Sequence, residues 1–245
     1  MDSSTQVTVL IHGYGFDHRI WYPVELAFEG HHVIYLALPG FGMEPVTDSY
    51  TIADLAKKYW RHLDDINVEN INLVGHSMGG YVCMEMLASH PARVSSLALV
   101  HSHVFADPDE KREARNNTLT DIKTNGPSGF INKLIPSLFA STDNSAEIIK
   151  GLVTRGFQYD ANAWYFGTQA LRDRVDHSET LKNARIPVLM LMGADDKAVP
   201  VALAHQQSSL SERTTLNVYP GVGHMGMYEN TARMISDLAK FYSGF

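Results

Sequence analysis

The segment Gly75-His76-Ser77-Met78-Gly79 places a serine between two glycines, directly after an apolar run and directly before a helical pattern. A serine on such a sharp strand-to-helix turn is exposed at the sheet edge, and the flanking glycines remove side chains that would collide with the turn. The start of the following helix offers backbone N–H groups and the positive end of its dipole to a developing oxyanion. The sequence therefore predicts Ser77 as a nucleophile and the Met78 N–H as an oxyanion donor.

A serine hydroxyl is a weak nucleophile at neutral pH and needs a base that an acid orients. Downstream of Ser77 the chain supplies both kinds of group, each just after an apolar run: Asp195 and Asp196 in one place and His224 in the other. The chain order Ser, Asp, His is that of one known catalytic arrangement. We therefore expect His224 to be the general base and one of the two aspartates to orient it.

With these motifs in register with the strand and helix patterns, the whole chain resembles the α/β-hydrolase fold family, of the esterase-lipase type with a helical lid. In that family the acid lies four residues before the proline of a D-x-x-V-P segment, which here ends at Pro200. The resemblance therefore selects Asp196 as the acid and leaves Asp195 as the alternative.

A third motif, His12-Gly13-Tyr14-Gly15, follows the first apolar run and resembles the H-G-x-G oxyanion loop of the same family. By that resemblance the Tyr14 N–H is the second oxyanion donor, and we expect His12 to brace the loop. Two converging N–H groups stabilise a tetrahedral anion, and removing one such donor typically costs ~10²–10³ in rate. The H-G-aromatic-G pattern with Trp21 downstream is most similar to carrier-linked methyl ester esterases and related small carboxylesterases.

Six short runs rich in apolar residues, each followed by a turn and mostly by a helical pattern, must position these groups. Continuous apolar runs suit strands that are buried on both faces of a parallel sheet. The predicted strands are 7–11, 32–37, 70–74, 96–101, 187–192 and 215–219, and the predicted helices around them are 21–29, 52–66, 78–89, 201–210 and 231–242. Thr51 and Asp54 predict a capping box for the second helix. The expected fold is an α/β-hydrolase fold, with a mostly parallel sheet of about six strands flanked by helices, and without the two leading strands that many relatives carry.

The alternation of strand and helix stops between residues 104 and 184, where the periodicity is helical. Five apolar residues there recur at the spacing of one helix face: Ile131, Leu134, Ile135, Leu138 and Phe139. We interpret residues 104–184 as an inserted helical lid or cap subdomain, and residues 1–103 and 185–245 as the hydrolase core.

Residues that contact the substrate are less well indicated by the sequence than the three catalytic groups. His101 and His103 follow the fourth predicted strand, at the sheet end where ligands of α/β folds bind. Phe139 and Trp164 lie in the predicted lid, which could cover a pocket. These four residues are the candidates for substrate contact.

The composition excludes several other classes of function. The chain has 245 residues and a net charge of −7, so no general cationic field attracts nucleic acid or anionic lipid. The single cysteine, Cys83, excludes an intramolecular disulfide and falls in the helix after Ser77, where we expect it to be buried. Without a signal-like amino terminus or an apolar run near the ~20 residues of a membrane helix, we expect a cytoplasmic protein with neither membrane nor nucleic-acid partners.

The function that these residues predict is hydrolysis of a small-molecule carboxylic ester or thioester through an acyl-enzyme on Ser77, with neither a metal nor an organic cofactor. Ser77 argues against dehalogenase and epoxide hydrolase chemistry, which by the family resemblance requires Asp at that position. Met225 stands where hydroxynitrile lyases carry Lys after the catalytic histidine. Two alternatives stay open: a cofactor-free perhydrolase, although Gly15 replaces its usual Pro, and a ligand receptor that uses the same pocket mainly to bind.

Overall fold

The central sheet has six parallel strands in the order β2-β1-β3-β4-β5-β6. The computed structural model describes residues 6–243. The strands are β1 (Val7–Ile11), β2 (His32–Leu36), β3 (Ile71–His76), β4 (Val94–Val100), β5 (Val188–Gly193) and β6 (Thr214–Tyr219). β1 lies between β2 and β3, so the chain crosses from one side of β1 to the other at this point. In parallel sheets such a switch opens a crevice at the carboxyl ends of the strands, and Gly13 and Ser77 follow the two strands that border it.

Ten α-helices complete the described chain. They are α1 (Ile52–Asp65), α2 (Met78–Ser89), α3 (Asp109–Asn125), α4 (Ser128–Ser137), α5 (Ala146–Gly156), α6 (Ala161–Arg172), α7 (Ser178–Lys182), α8 (Val201–Ser208), α9 (Gly226–Glu229) and α10 (Thr231–Tyr242). The predicted capping box is present, since the Thr51 hydroxyl accepts from the Asp54 N–H and the Asp54 carboxylate accepts from the Thr51 N–H. The predicted α/β architecture, a parallel sheet of six strands flanked by helices, is confirmed.

The α-helix predicted over residues 21–29 is wrong in type. Residues His18–Phe28 form 3₁₀ turns instead, with Pro23 inside the segment. Proline has no N–H to give to the fourth residue before it, and its ring clashes with that carbonyl in an α-helix. Asp17 caps the segment by accepting from the Arg19 N–H at 3.0 Å. The apolar side chains still face the core, and α10 packs against them.

Five helices, α3 to α7, lie between β4 and β5, in the stretch that we call the cap segment (residues 104–184). Four of the five apolar residues of its predicted stripe are buried, while Leu134 is only partly buried. Helices α3 and α6 pack against each other, and α4 contacts both α3 and α5. The cap segment thus has an apolar interior of its own that continues into the main core. No helix within residues 6–243 has both the length and the apolar character needed to cross a bilayer.

The packing of α2 against the sheet depends on Gly79. A Cβ added there would lie 2.2 Å from the Ile11 carbonyl oxygen, and that backbone cannot move without breaking the ladder of β1. We expect Gly79→Ala to lower the free energy of unfolding by about 3 kcal/mol or more, because overpacking against rigid backbone is relieved only by shifting it. Urea denaturation followed by circular dichroism measures the change.

Gly151→Ala is the matched control, since Gly151 lies in α5 and a Cβ there meets nothing within 4 Å. The control should raise the stability by about 0.5–1 kcal/mol through helix propensity. Equal effects of the two substitutions would contradict the close packing at Gly79.

Candidate active site

Ser77 occupies a strained turn between β3 and α2. Its backbone angles are φ 51° and ψ −117°, a conformation that residues other than glycine rarely adopt. Three hydrogen bonds hold the turn: the Ser77 N–H donates to Val100 O at 3.0 Å, and Ser77 O accepts from the Ser102 hydroxyl at 2.8 Å and from the Gly80 N–H at 2.9 Å. The predicted nucleophile is therefore fixed at the carboxyl edge of the sheet, at the start of a twelve-residue helix.

The loop after β1 lies directly against this turn. A Cβ at Gly13 would lie 3.1 Å from the Ser77 Cβ and 2.5 Å from His76 Nδ1, so only glycine permits the approach. His12 braces the loop as predicted: its Nε2 accepts from the Leu38 N–H at 3.1 Å, and its Nδ1–H donates to Gly13 O at 2.9 Å. Burial lowers the pKa of His12 to about 4, so the ring is neutral, as this pattern of bonds requires.

Asp196, and not its neighbour, contacts His224. Asp196 Oδ2 lies 2.7 Å from His224 Nδ1, and Oδ1 accepts from the N–H groups of Ala198 and Val199 at 2.9 Å each. Burial would raise the pKa of Asp196, but the His224 charge and the hydrogen bonds of nearby histidines outweigh it and hold that pKa below its usual range. The ionised carboxylate can only accept, so His224 Nδ1 carries the hydrogen that faces it, which leaves Nε2 as the nitrogen that can act as a base. Asp195 is exposed.

His101 is a second histidine on the same carboxylate. Its Nδ1 lies 3.4 Å from Asp196 Oδ2, and its Nε2 accepts from the Gly226 N–H at 3.2 Å. The Gly193 N–H points at the same Nδ1 at 3.3 Å, so both ring nitrogens of His101 face backbone N–H groups, and Nδ1 faces Asp196 as well. Burial lowers the pKa of His101, which keeps the ring neutral. His101 also has a positive φ of 48°, so the structure strains a second residue at this edge of the sheet.

The loop that carries His224 is tied to the cap segment and to β3. The His224 N–H donates to Leu138 O at 2.7 Å, and the Glu229 carboxylate accepts from the N–H groups of Gly223 and Ala140. On the other side, His76 Nε2–H donates to His224 O at 3.0 Å. The His76 ring is buried and neutral, because burial lowers its pKa. These contacts fix the His224 backbone from both sides.

Ser77 and His224 line the same cavity, which has a volume of about 230 Å³. From the core, Tyr14, Phe16 and Tyr81 also line it, and the loop after β5 adds Lys197, Ala198 and Val199. Half of the lining comes from the cap segment: Lys111, Arg115, Thr118, Phe130, Leu134, Leu138, Thr168 and Leu171. Among the described residues no hydrogen bond joins the Ser77 hydroxyl to His224. Such bonds often tighten only once substrate is bound.

The four sequence candidates for substrate contact lie behind the wall of this cavity. Phe139 and Trp164 are buried, and the Trp164 ring packs edge-on against the Tyr14 ring with centroids 5.2 Å apart. His103 contacts the Tyr81 hydroxyl at 3.2 Å, and burial together with the Arg174 charge lowers its pKa to about 3. His101 faces Asp196 instead. The lining residues were missed because the side of a helix that faces a cavity depends on packing that one sequence does not reveal.

His101, Asp196 and His224 are also the residues whose ligand-type atoms come within 4.8 Å of one another. A metal could bind such a group, but the Asp196 and His224 atoms already bond to each other, and both ring nitrogens of His101 already face backbone N–H groups. We therefore assign the cluster to hydrogen bonding. Cys83, on α2, is fully buried, and burial raises the pKa of its thiol, as expected for a packing residue.

A sequence model of the alpha/beta hydrolase family matches residues 8–237 of this chain. The chain belongs to the alpha/beta hydrolase family. The family resemblance predicted from the three motifs is thereby confirmed, and the protein is a hydrolase of the esterase-like kind.

Among its relatives, the chain is 25% identical to the pimeloyl-(acyl-carrier protein) methyl ester esterase of Pseudoalteromonas atlantica over 248 residues, covering 94% of this chain and 92% of that protein. The structure superposes on a thermophilic esterase of Thermogutta terrifontis with a TM-score of 0.91, at 22% identity and covering 98% of this chain and 90% of that one. An enol-lactonase of Burkholderia xenovorans gives a TM-score of 0.90 at 18% identity, covering 98% and 92% of the two chains. The two structural likenesses establish the fold.

Asp17, in the loop after β1, contacts the cap segment and generates a pH-dependent prediction. Its carboxylate is buried and accepts from the Arg19 guanidinium at 2.9 Å and from the Tyr159 hydroxyl at 2.6 Å. Burial would raise the pKa of Asp17, but these bonds outweigh it and hold the pKa below its usual range. A carboxyl whose pKa is lower in the folded than in the unfolded chain stabilises the fold above its unfolded pKa of about 3.9, and that contribution is lost as the pH falls.

We expect Asp17→Asn to destabilise the protein by about 1.5–3 kcal/mol at pH 7, the usual value of hydrogen bonds to a charged group. The difference from the wild type should shrink as the pH falls below about 4, where the wild-type carboxyl also becomes protonated. Urea denaturation at pH 7 and pH 3 compares the two proteins. A difference that stays constant over this range would show that the Asp17 charge does not contribute.

Proposed function

We propose that the protein hydrolyses carboxylic esters or thioesters through an acyl-enzyme on Ser77, with His224 as the general base and acid and Asp196 as the residue that orients it. The observation that carries this proposal is the pairing of Asp196 with His224 beside a serine held in a strained turn, both open to one cavity. A perturbed carboxylate, an oriented histidine and an exposed hydroxyl are the parts that acyl transfer requires.

In the first step the Ser77 hydroxyl attacks the acyl carbon while His224 Nε2 takes its proton. The imidazolium that forms is stabilised by the ionised Asp196, which stays deprotonated. The tetrahedral intermediate then collapses, and the leaving alcohol or thiol receives the proton from His224. In the second step His224 activates a water that attacks the acyl carbon, the carboxylic acid leaves, and Ser77 regains its proton.

The negative oxygen of each tetrahedral intermediate is proposed to bind the N–H groups of Met78 and Tyr14. Met78 is the first residue of α2, where N–H groups point out of the helix end and the dipole favours negative charge. Tyr14 follows Gly13, which approaches Ser77 closely, and its side chain is fixed because its hydroxyl donates to Trp164 O at 2.6 Å. The loop is thereby held before substrate binds, as preorganised stabilisation requires.

We propose further that residues 104–184 form a lid over a core made of residues 1–103 and 185–245. The proposal is supported by the half of the cavity lining that comes from this segment, and by the bonds of Tyr14, Asp17 and His224 to it. A lid in this position would exclude water from the acyl-enzyme and determine the shape of the substrate pocket. The proposed ligand is a small ester or thioester, and a cytoplasmic location stays a prediction from the sequence.

Labelling with a fluorophosphonate probe tests the nucleophile, because the probe reacts with activated serines. We expect Ser77 to be the labelled residue, located by peptide mass spectrometry, and Ser77→Ala to lose both the label and at least about 10³-fold in kcat on a short-chain ester. Ser209→Ala, at an exposed serine, is the matched control and should keep both. Folded wild-type protein that takes no label at Ser77 would contradict the mechanism.

Turnover number separates this enzyme from the two alternatives. An esterase should release many equivalents of product per chain, whereas a receptor that uses the pocket to bind should release about one. Peroxide-dependent formation of peracid at a rate above ester hydrolysis would favour the perhydrolase.

The two neighbouring aspartates offer a test of the proposed acid. Asp196→Asn removes the acceptor that fixes the His224 tautomer and should lower kcat by about 10⁴-fold, as an amide at this position favours the wrong tautomer. Asp195→Asn removes an equal charge one residue away, on an exposed side chain, and should change kcat by less than about threefold. Steady-state kinetics on the same ester measures both. A larger loss in Asp195→Asn would assign the acid to Asp195.

A further inference from the structure

The cavity above Ser77 is lined by cations. Lys111 and Arg115 lie one turn apart on α3, and Lys197 comes from the loop after β5. Of the described residues that line the cavity, none is an aspartate or a glutamate. The whole chain carries −7, so the charge of this cavity is opposite in sign to that of the protein.

Lys111 is a partly buried cation with few polar contacts. Its side chain is partly buried and its Nζ donates to Ala198 O at 3.2 Å, in the loop that also carries Asp196. Within residues 6–243 the structure records no carboxylate within 4.0 Å of this ammonium group. An ammonium group has three donors, and one bond leaves two of them open. Burial lowers the pKa of Lys111, the charges of Arg115 and Arg174 lower it further, and the carboxylates of Asp107 and Asp196 offset part of this effect.

Arg115 adds positive charge to the same wall although it has a carboxylate partner. Asp107 is buried and binds two guanidinium groups, those of Arg115 and Arg174, the second at 2.7 Å. One carboxylate between two arginines leaves the group with a net positive charge. The Arg174 guanidinium also lies 4.3 Å from the centroid of the Tyr81 ring, and that ring lines the cavity. This network fixes Arg115 beside Lys111 without neutralising the wall.

We propose that the substrate carries a carboxylate on its acyl portion, and that this carboxylate binds at Lys111 and Arg115 while the ester carbonyl lies at Ser77. The inference rests on the proposed ester hydrolysis and names its substrate class: monoesters of dicarboxylic acids. A substrate carboxylate would accept hydrogen bonds from the two open donors of Lys111, which has no carboxylate in direct contact among residues 6–243. The volume of about 230 Å³ is below the ~300–1,000 Å³ of most ligand pockets, which favours a small dicarboxylate over a bulky phosphate-bearing group.

The test compares two esters that differ in one charge: the methyl monoester of glutaric acid and the same ester with a primary amide in place of the carboxylate. We expect the wild type to prefer the anionic ester by about 10–100-fold in kcat/KM, the effect of one or two charge-assisted hydrogen bonds. Lys111→Gln should reduce this ratio to near one, and Lys111→Arg should keep most of it. Lys123→Gln removes an equal charge from the exposed part of α3 and should leave the ratio unchanged.

A binding measurement keeps the inference separate from the proposed chemistry. Isothermal titration of Ser77→Ala with the two esters should show the same preference, and adding Lys111→Gln to this variant should remove it. If that holds while no ester is turned over, the anion site stands and the hydrolytic proposal fails. If esters are turned over through Ser77 but neither kcat/KM nor binding depends on the carboxylate, the anion inference is overturned and the hydrolase stands. Dependence on Lys111 only for a thioester with a phosphate in its leaving group would also overturn the acyl assignment.

Discussion

The site depends on the backbone turn at Ser77, which side chains at the neighbouring glycine positions would prevent. Ser77 pays strain of order 1–3 kcal/mol for its positive φ, and the surrounding packing makes that conformation the only one that fits. A Cβ at Gly75 would lie 2.5 Å from the Gly79 backbone, and one at Gly80 would lie 2.3 Å from the Ser102 hydroxyl. The first turn of α2 is therefore in direct contact with β1 and β3. Because the backbones touch without side chains between them, the start of α2, Ser77 and the loop after β1 lie close together.

From this turn the hydrogen bonds of the site run in one direction. Asp196 is ionised and can only accept, so the hydrogen on His224 Nδ1 points toward it and Nε2 of that ring is left to accept, while His101 Nδ1 lies 3.4 Å from the same oxygen. Both His101 nitrogens face backbone N–H groups, those of Gly193 and Gly226, whereas no residue of the described chain hydrogen-bonds His224 Nε2. His224 can thus take a proton from a substrate or a serine, whereas His101 contacts the acid and the loop after β6. The direction follows from the charge state of one carboxylate.

The parts that could be predicted from the sequence are those fixed by local pattern. The bounds of β1, α2 and α10 were predicted to the residue, because an apolar run or an amphipathic stripe ends there at a turn. The three motif residues Ser77, Asp196 and His224 lie together because each follows a strand of the parallel sheet. Ser77 and His224 line one cavity, and Asp196 is hydrogen-bonded to His224. The 3₁₀ segment was missed since the effect of Pro23 on the hydrogen-bond pattern outweighs the apolar periodicity around it. The contact of His101 with Asp196 joins residues 95 apart in the sequence, and that of Lys111 with Ala198 joins residues 87 apart, so no local pattern encodes them.

The position of Lys111 in the cavity explains how a cation can attract an anion in a protein of net negative charge. At physiological ionic strength the field of surface carboxylates is screened beyond about 8 Å, so the −7 of the chain neither draws an anion in nor excludes it strongly. A partly buried ammonium is screened much less, and its interaction with a bound charge is correspondingly larger. The selection of an anionic ligand would then take place within the cavity and not during the approach to it. Because Lys111 bonds to the Ala198 carbonyl and the Ala198 N–H bonds to Asp196, the proposed anion site and the proposed acid share one loop.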